Sequence, residues 1–154
     1  MINLKALEEN QVADYFEKLW IDYRDELVGA GYSEDYAEEN IQYTKNSLLP
    51  EGILAPGNHI FYVYSDFDLV GKLWLATKEL DAETEWFVYD VETFSDFRGK
   101  GFGREIMKAA EKYVLDSGGS AISLSVFGNN SIARKLYESL EYETVRLELK
   151  KKLH

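Results

Sequence analysis

A glycine-rich run at residues 98–103, Arg-Gly-Lys-Gly-Phe-Gly, is the feature that most constrains how this chain can fold. Before it lies an apolar stretch rich in β-branched and aromatic residues, 85–94, which is typical of a strand. After it, apolar residues recur at helical spacing: Ile106, Ala109, Ala110, Tyr113 and Val114. The run is therefore predicted to be a turn that connects a strand to a helix.

This turn has the composition of an anion-binding site. Glycines on alternate residues allow positive φ angles and bring backbone N–H groups close to a ligand. The helix that follows adds unpaired N–H groups and the positive end of its dipole. The charged and glycine residues of the site are Arg98, Gly99, Lys100, Gly101, Gly103 and Arg104. Together these features favour a diphosphate as the ligand.

Two familiar phosphate-binding motifs do not fit the run. A P-loop needs GxxxxGK[ST], and no Gly-Lys-Ser or Gly-Lys-Thr occurs in the chain. A dinucleotide fingerprint needs GxGxxG, whereas this run has the spacing GxGxG. The alternatives that remain are a different kind of diphosphate site and a glycine-rich turn with a purely structural role.

A second segment resolves that choice by resemblance. The turn resembles the Arg/Gln-x-x-Gly-x-Gly/Ala signature of the GNAT superfamily of N-acetyltransferases. Residues 130–142 resemble its segment Asn-x-x-Ala-x-x-Leu-Tyr-Glu-x-x-Gly-Phe, with matches at Asn130, Ala133, Leu136, Tyr137 and Glu138. The Gly-Phe pair is replaced by Glu141-Tyr142, so the turn there should differ. Most of the chain is similar to a small bacterial, YycN-like subgroup of this superfamily.

The resemblance implies a fold, a cosubstrate and roles for residues. The fold would be α/β (α+β), with a mixed, mostly antiparallel central sheet flanked by helices. The cosubstrate would be acetyl-CoA, and Tyr137 would be the acid that reaches the coenzyme A sulfur. The implied cofactor-binding residues are Val91, Thr93, Arg98, Gly99, Lys100, Gly101, Phe102, Gly103, Arg104, Asn130, Ala133 and Tyr137. Tyr137 as an aromatic packed on the sheet is the alternative.

Two carboxylates directly before the glycine turn are candidates for the general base. Asp90 and Glu92 belong to a strand whose neighbours are apolar, and both fall on one face if the strand is regular. Desolvation would raise the pKa of such a carboxylate towards neutrality, where it could take a proton, directly or through water. Asp90 is the first choice and Glu92 the second. Hydrogen bonding of these carboxylates to a loop or to Tyr or Trp side chains is the alternative.

The remaining elements are predicted from hydrophobic periodicity. Strands are expected at 2–7, 59–64, 69–76, 85–94 and 121–126, and the segment 143–152 alternates like another strand. Helices are expected at 8–28, from the N-cap Ser33 to about Leu49, from the glycine turn to 117–119, and at 132–140. Turns are expected at 65–68 and 80–83.

Length and composition limit the classes of function. A chain of 154 residues fits one domain, 1–154. It has no Cys and two His, His59 and His154, so thiolate chemistry is excluded and a metal is not expected. We expect His59 to be a structural side chain. No apolar run approaches the ~20 residues of a membrane span, and no signal peptide is present, so a cytoplasmic protein that binds no membrane is expected, as a monomer or homodimer.

The charge is divided unevenly along the chain. The formal net charge of −11 argues against nucleic acid as a partner. Residues 1–97 carry −15 and residues 98–154 carry +4. The first two helices also carry many aromatic residues, which suit a cationic amine but equally suit a helical core. The acidic half is therefore predicted either to attract a cationic amine or to be an ordinary solvated surface.

Three functions are compatible with these patterns. The first is transfer of an acetyl group to the primary amine of a small molecule or peptide, by direct attack in a ternary complex. The second is a sensor module that binds an acyl-CoA without transfer. The third is an acidic partner-binding protein with an incidental glycine turn. Binding of acetyl-CoA separates the third from the others, and thiol release with amines separates the first two.

Overall fold

The structure is a computed structural model that describes residues 1–80 and 83–154. Within these residues, one sheet contains five strands in the order of the chain. They are β1 (Ile2–Ala6), β2 (Asn58–Ser65), β3 (Asp68–Leu80), β4 (Glu83–Thr93) and β5 (Ala121–Leu124). Strands β1 to β4 are antiparallel, whereas β5 is parallel to β4. The predicted mixed, mostly antiparallel sheet is confirmed.

Helices cover both faces of this sheet. They are α1 (Glu9–Gly29), α2 (Glu34–Leu48), α3 (Phe102–Asp116) and α4 (Ser131–Ser139), with short 3₁₀ turns at Pro50–Gly52 and Ser95–Phe97. Helix α3 makes the crossover that a parallel pair of strands requires. It buries Ile106, Met107, Ala110 and Val114 in the larger core, with residues of β2, β3 and β4. Helix α1 covers the opposite face, where Phe16 packs on Trp74.

A β-bulge in β4 sets which side chains share a face. Trp74 of β3 lies opposite Asp90, while the next residue, Leu75, lies opposite Val88, so Tyr89 is the extra residue. Val88 is buried in the core beneath α3. Tyr89 packs against Trp74, and Asp90 contacts Tyr15, so both lie on the face that α1 covers. The bulge therefore directs two successive side chains to the same side.

Most element boundaries lie within two residues of the predicted ones, but β3 and the C-terminal part of the chain differ. Strand β3 continues to Leu80, four residues beyond its predicted end at residue 76. Ser33 caps α2 as predicted, since its Oγ accepts a hydrogen bond from the Tyr36 N–H. Strand β5 ends at Leu124, two residues before its predicted end. The predicted strand at 143–152 is wrong, because this segment forms no strand in the described structure. The predicted turn at 80–83 includes residues 81–82, which lie outside the described residues.

The turn after α4 confirms the expected departure from the usual glycine. Glu141 adopts a left-handed conformation, with φ of 67°. This conformation costs a residue with a Cβ about 1–2 kcal/mol. Two hydrogen bonds from the next residue stabilise this conformation. The Tyr142 N–H donates to the Tyr137 carbonyl, and the Tyr142 hydroxyl donates to Glu111. Tyr142 thus keeps its packing position although glycine is absent.

Candidate active site

The glycine turn between β4 and α3 has two residues in the left-handed region. Gly99 has φ of 74° and Gly101 has φ of 86°, and Gly101 is the N-cap of α3. A Cβ at either position would point into open space, so the backbone conformation alone requires glycine. Gly103 does not have the positive φ angle that was predicted for the glycines of this run. It lies in the first turn of α3, where a Cβ would come within 3.3 Å of Leu136 Cδ2. It permits packing of α3 on α4.

The basic side chains of the turn are anchored by their own neighbours. Arg98 Nε donates to the Thr93 carbonyl at 3.0 Å, and Lys100 Nζ donates to the Asp96 carbonyl at 3.1 Å. Arg104 Nη2 donates to Ser139 Oγ at 2.6 Å, which links α3 to α4. Their positive charges therefore stay beside the N-terminus of α3, whose first N–H groups have no partner within the helix. This arrangement fits a diphosphate.

A gap between β4 and β5 opens next to this turn. Strand β5 pairs with β4 at residues 85–88 and then ends, whereas β4 continues to Thr93. Among the described residues, no strand pairs with this side of β4 from residue 89 to 93. The backbone there, which includes Val91 and Thr93, can form hydrogen bonds with an extended ligand. This gap lies next to the glycine turn. A single ligand could therefore place an extended arm in the gap and a diphosphate at the turn.

Helix α4 lies at the other side of this gap. The Oδ1 atom of Asn130, its N-cap, accepts the Ala133 N–H at 3.2 Å, which leaves the Asn130 Nδ2 group to contact a ligand. Tyr137 is half-buried and packs against the larger core and Tyr142. Burial raises the pKa of Tyr137, and the charges of Asp90 and Glu26 raise it further. Its hydroxyl therefore keeps its proton at neutral pH.

Asp90 and Glu92 lie on one face, as predicted, and share a buried lysine. Lys72 Nζ lies 3.3 Å from Asp90 Oδ2 and 3.3 Å from Glu92 Oε2. The hydroxyl of Tyr15 donates to the same oxygen of Asp90 at 2.6 Å. Glu92 also faces Lys18 at 3.8 Å and Arg98 at 3.6 Å. Both carboxylates are thus neutralised by cations from other elements.

The pKa shifts in this cluster have opposing causes. Burial raises the pKa of Asp90, although Lys72 and the Tyr15 hydroxyl act in the opposite direction. Burial alone would lower the pKa of Lys72, but its two carboxylate partners outweigh burial and raise it. The pKa of Tyr15 is raised by burial and then by Asp90, so Tyr15 remains a hydrogen-bond donor. Because its pKa is raised, Lys72 is charged at neutral pH.

A groove of about 760 Å³ lies between α1 and the end of β4. Its acidic side chains outnumber the basic ones. The lining residues are Lys18, Asp22, Asp25, Glu26, Asp90, Val91, Glu92, Phe94, Ser95 and Arg98. Glu26 is open to solvent, yet partial desolvation, followed by repulsion from Asp90 and Asp22, raises its pKa. The groove is a place where positive charge would be stabilised.

His59 has a structural role, as expected. Its Nδ1 atom lies 3.0 Å from the Tyr113 hydroxyl, and its ring packs against Trp86. Burial lowers the pKa of His59, so the ring is neutral at pH 7. Among the residues that the structure describes, no cluster of three His, Asp or Glu side chains could hold a metal ion. No helix in the same residues is long and apolar enough to cross a membrane.

Comparison with known proteins decides the family. Residues 10–142 match the profile of the acetyltransferase (GNAT) family. This chain belongs to the GNAT family. It is an N-acetyltransferase, and the family uses acetyl-CoA as the acetyl donor. The glycine turn and the open edge of β4 fit this donor, because one offers N–H groups and cations to a diphosphate and the other offers hydrogen bonds to an extended arm.

Relatives agree with this assignment over the whole chain. The chain is 29% identical to YycN of Bacillus subtilis, an uncharacterized N-acetyltransferase, over 99% of both proteins. The crystal structure of YycN superposes with a TM-score of 0.91 at 28% identity, covering 100% of this chain and 99% of YycN. The GNAT fold is also shared with AAC(6')-Iy bound to a bisubstrate analog, CoA-S-monomethyl-acetylneamine. That match has a TM-score of 0.59 and 13% identity, and covers 100% of this chain and 99% of the other.

Sequence reasoning did not single out three residues of this site: Tyr15, which was only one of several aromatic residues in the first two helices, Glu26 and Lys72. Lys72 carried a usable signal, because it is a single charge inside the apolar run 69–76. A charge in a buried strand needs partners, and the two carboxylates on the next strand were available. Tyr15 and Glu26 had no such signal, since aromatic and acidic residues recur throughout α1. Only the packing of α1 on the sheet selects them.

We expect Gly101→Val to abolish stabilisation of the protein by acetyl-CoA. Valine is strained at φ of 86°, and its side chain would occupy the open space in front of the turn. Wild-type protein should gain about 2.7 kcal/mol of folding stability when acetyl-CoA is present at 100 times its dissociation constant. Thermal unfolding with and without acetyl-CoA measures the difference.

Gly118→Val is the matched control for this experiment. Gly118 has φ of 85°, also faces open space, and lies beyond the opposite end of α3. It should lose a similar amount of stability while keeping the response to acetyl-CoA. An unchanged response in Gly101→Val would show that the diphosphate binds elsewhere.

Proposed function

We propose that this enzyme transfers the acetyl group of acetyl-CoA to a primary amine of a cationic small molecule or peptide, by direct attack in a ternary complex. One observation carries this proposal: the acidic groove opens beside the free edge of β4 and next to the glycine turn. The amine acceptor and the thioester would therefore meet at the end of β4. An acyl-CoA sensor without transfer is the alternative.

In this proposal the cosubstrate is held by residues 98–104, the β4 edge and α4. Acetyl-CoA supplies the activated acetyl group as a thioester. The N-terminus of α3, with Arg98, Lys100 and Arg104, would bind the diphosphate, assisted by the backbone of Phe102 and its flanking glycines. Val91 and Thr93 would pair their backbone with the extended arm, and Asn130 and Ala133 would contact it from α4. Most of the catalysis would come from this positioning.

The proton acceptor is a point where the geometry favours a change from the sequence prediction. Asp90 Oδ2 already accepts hydrogen bonds from Tyr15 and Lys72, and Glu92 faces three cations. Glu26 makes no ion pair with any residue that the structure describes, and its raised pKa favours a base that accepts a proton near neutral pH. We therefore assign proton removal from the amine to Glu26 and electrostatic stabilisation to Asp90 and Glu92.

Tyr137 is the proposed general acid. It comes from α4 at the edge of the same gap, and its raised pKa keeps the hydroxyl protonated. When the carbon–sulfur bond of the thioester breaks, the Tyr137 hydroxyl would donate its proton to the departing sulfur.

We expect Tyr137→Phe to lower kcat by about 10²–10⁴-fold, because only the proton donor is lost. The affinity for acetyl-CoA should change little, since the ring keeps its packing. Stopped-flow thiol release gives kcat, and calorimetric titration gives the affinity. Tyr142→Phe is the control, because it also removes a half-buried hydroxyl, here the donor to Glu111, without altering the gap. Equal turnover in Tyr137→Phe and wild type would return Tyr137 to a packing role.

The Glu26→Gln variant tests the base. Because the pKa of Glu26 is raised, the wild-type rate should rise with pH at a higher pH than an ordinary carboxylate would give. The variant should lose this limb of the profile and about 10²-fold in kcat. Glu17→Gln, an exposed change on the same helix, should keep both. If Asp90→Asn removes the limb while Glu26→Gln retains it, Asp90 is the base as first predicted.

The charge of the acceptor is tested by a panel of amines at several salt concentrations. Polyamines, aminoglycosides and Lys-containing peptides should give higher kcat/KM than neutral or acidic amines, because the groove is acidic. Their kcat/KM should fall as ionic strength rises, since salt screens the attraction. A preference for acidic amines without salt dependence would refute a cationic acceptor while leaving acetyl transfer intact. No thiol release with any amine would favour the sensor.

A further inference from the structure

Lys72 carries a charge inside an apolar strand that lies behind the acidic groove. Among the residues that the structure describes, it is the one charged side chain that is fully buried. The next three residues, Leu73, Trp74 and Leu75, are buried and apolar. A buried ion pair is often no more stabilising than apolar side chains of similar volume that pack well. Stability alone therefore gives no reason for a lysine at this position, whereas a role in the reaction would.

The register of the sheet places this lysine beside two carboxylates of the groove. Lys72 lies directly opposite Glu92 in the pairing of β3 with β4, and Asp90 lies opposite Trp74, two residues further along the same face. The Lys72 ammonium lies 3.3 Å from one oxygen of each carboxylate. All three side chains project from neighbouring strands of one sheet. Such regular elements hold functional groups more precisely than loops do.

The lysine can act on the acceptor only through its partners. Asp90 and Glu92 line the groove, whereas Lys72 is not among the described residues that line it. The Lys72 ammonium contacts the two carboxylates and lies 5.0 Å from the centre of the Tyr15 ring. The Tyr15 hydroxyl donates to Asp90 Oδ2 at 2.6 Å, so α1 holds the same carboxylate from another element. Any effect of Lys72 on acetyl transfer must therefore pass through Asp90 and Glu92.

We propose that Lys72 is a positioning residue for acetyl transfer: its buried ammonium favours the charged forms of Asp90 and Glu92 and fixes both carboxylates in the wall of the groove, where they hold the cationic acceptor. This inference rests on the proposed function, because it requires a cationic amine in the groove. Without the lysine, two carboxylates on one face would repel each other, and one of them would take up a proton. With the lysine both keep their place, and the three groups together remain negative.

Loss of the ammonium should change the pH dependence of the reaction. Burial raises the pKa of Asp90, while Lys72 and the Tyr15 hydroxyl oppose this rise. Without Lys72 the pKa of Asp90 would be higher still, so the carboxylate would be charged only at higher pH. The hold on a cationic acceptor should then recover as the pH rises. The titratable groups that face Asp90 are Lys72 of β3, Tyr15 and Glu26 of α1, Glu92 of β4 and Tyr137 of α4.

The test removes and restores this one charge chemically. Because the chain has no Cys, Lys72→Cys can be alkylated in denaturant at a single thiol and then refolded. Treatment with 2-bromoethylamine gives a lysine analogue with its ammonium, and 1-iodopropane gives a neutral side chain of the same length. We expect the neutral derivative to lose about 10²-fold in kcat/KM for the best cationic amine of the panel, starting with spermidine, as misplaced positioning groups do. The charged derivative should recover most of this loss.

Two further readouts separate positioning from a purely structural role. The loss in the neutral derivative, relative to wild type at each pH, should become smaller as the pH rises, because Asp90 regains its charge. The dissociation constant of acetyl-CoA, measured by calorimetric titration, should stay close to that of wild type, because residues 98–104 are unchanged. Lys78→Cys, treated with the same two reagents, is the control. Lys78 belongs to the same strand but lies opposite Glu85, away from the groove, so its derivatives should keep wild-type kcat/KM.

The outcomes that overturn the proposal are distinct from failure of the proposed function. Equal kcat/KM in the neutral and charged derivatives, or a loss that does not change with pH, would reduce Lys72 to a structural residue while acetyl transfer stands. If the neutral derivative does not refold, the double variant Lys72→Met, Asp90→Asn removes one buried charge of each sign. It should also lose about 10²-fold in kcat/KM, and wild-type kcat/KM in it refutes the role of Lys72. Absence of thiol release by wild type with every amine refutes the proposed function, and this inference with it.

Discussion

The active-site side of this protein depends on the burial of one charged group, the ammonium of Lys72. Lys72 is 4% exposed in its side chain and lies in the centre of an apolar strand. Such a charge is stable in a folded protein only if partners replace its lost hydration. Asp90, Glu92 and the ring of Tyr15 supply this replacement, the last at 5.0 Å as a cation–π contact. Strands β3 and β4 and helix α1 are thereby joined at one point.

The bulge in β4 makes this cluster possible. Because Tyr89 is the extra residue, Asp90 points towards α1 and Lys72 instead of into the core beneath α3. Glu92 then follows on the same face at the next alternate position. Gly71 assists on the facing strand, since a Cβ there would collide with the carbonyl oxygen of Glu92. The close approach of β3 to β4 thus depends on a residue without a side chain.

The same strand also separates the two substrate regions of the proposed mechanism. Asp90 and Glu92 of β4 line the acidic groove with their side chains. The backbone edge of β4 beyond Val88 stays open, because β5 ends early. The acceptor and the thioester can therefore approach the end of one strand from different directions. Direct transfer in a ternary complex needs such a meeting point more than it needs strong acids or bases.

The sequence by itself determined the order of elements up to α4, the positive φ angles at Gly99 and Gly101, the N-cap at Ser33 and the family. These properties follow from local chemistry, because periodicity, glycine freedom and capping act within a few residues of the chain. It also placed Asp90 and Glu92 on one face of a strand, where a carboxylate can either accept a proton or form hydrogen bonds with neighbouring side chains.

Tertiary structure alone decided the rest. Lys72, Tyr15 and Glu26 became parts of the site because α1 packs across β3 and β4, and the register between distant segments is not encoded in any short pattern. Gly103 proved to serve helix packing, since Leu136 approaches it from α4. The alternation of 143–152 predicted a strand that the described structure does not form. Alternation decides which side chains could share a face, but a strand also needs a neighbouring strand to pair with, and only the tertiary structure supplies one.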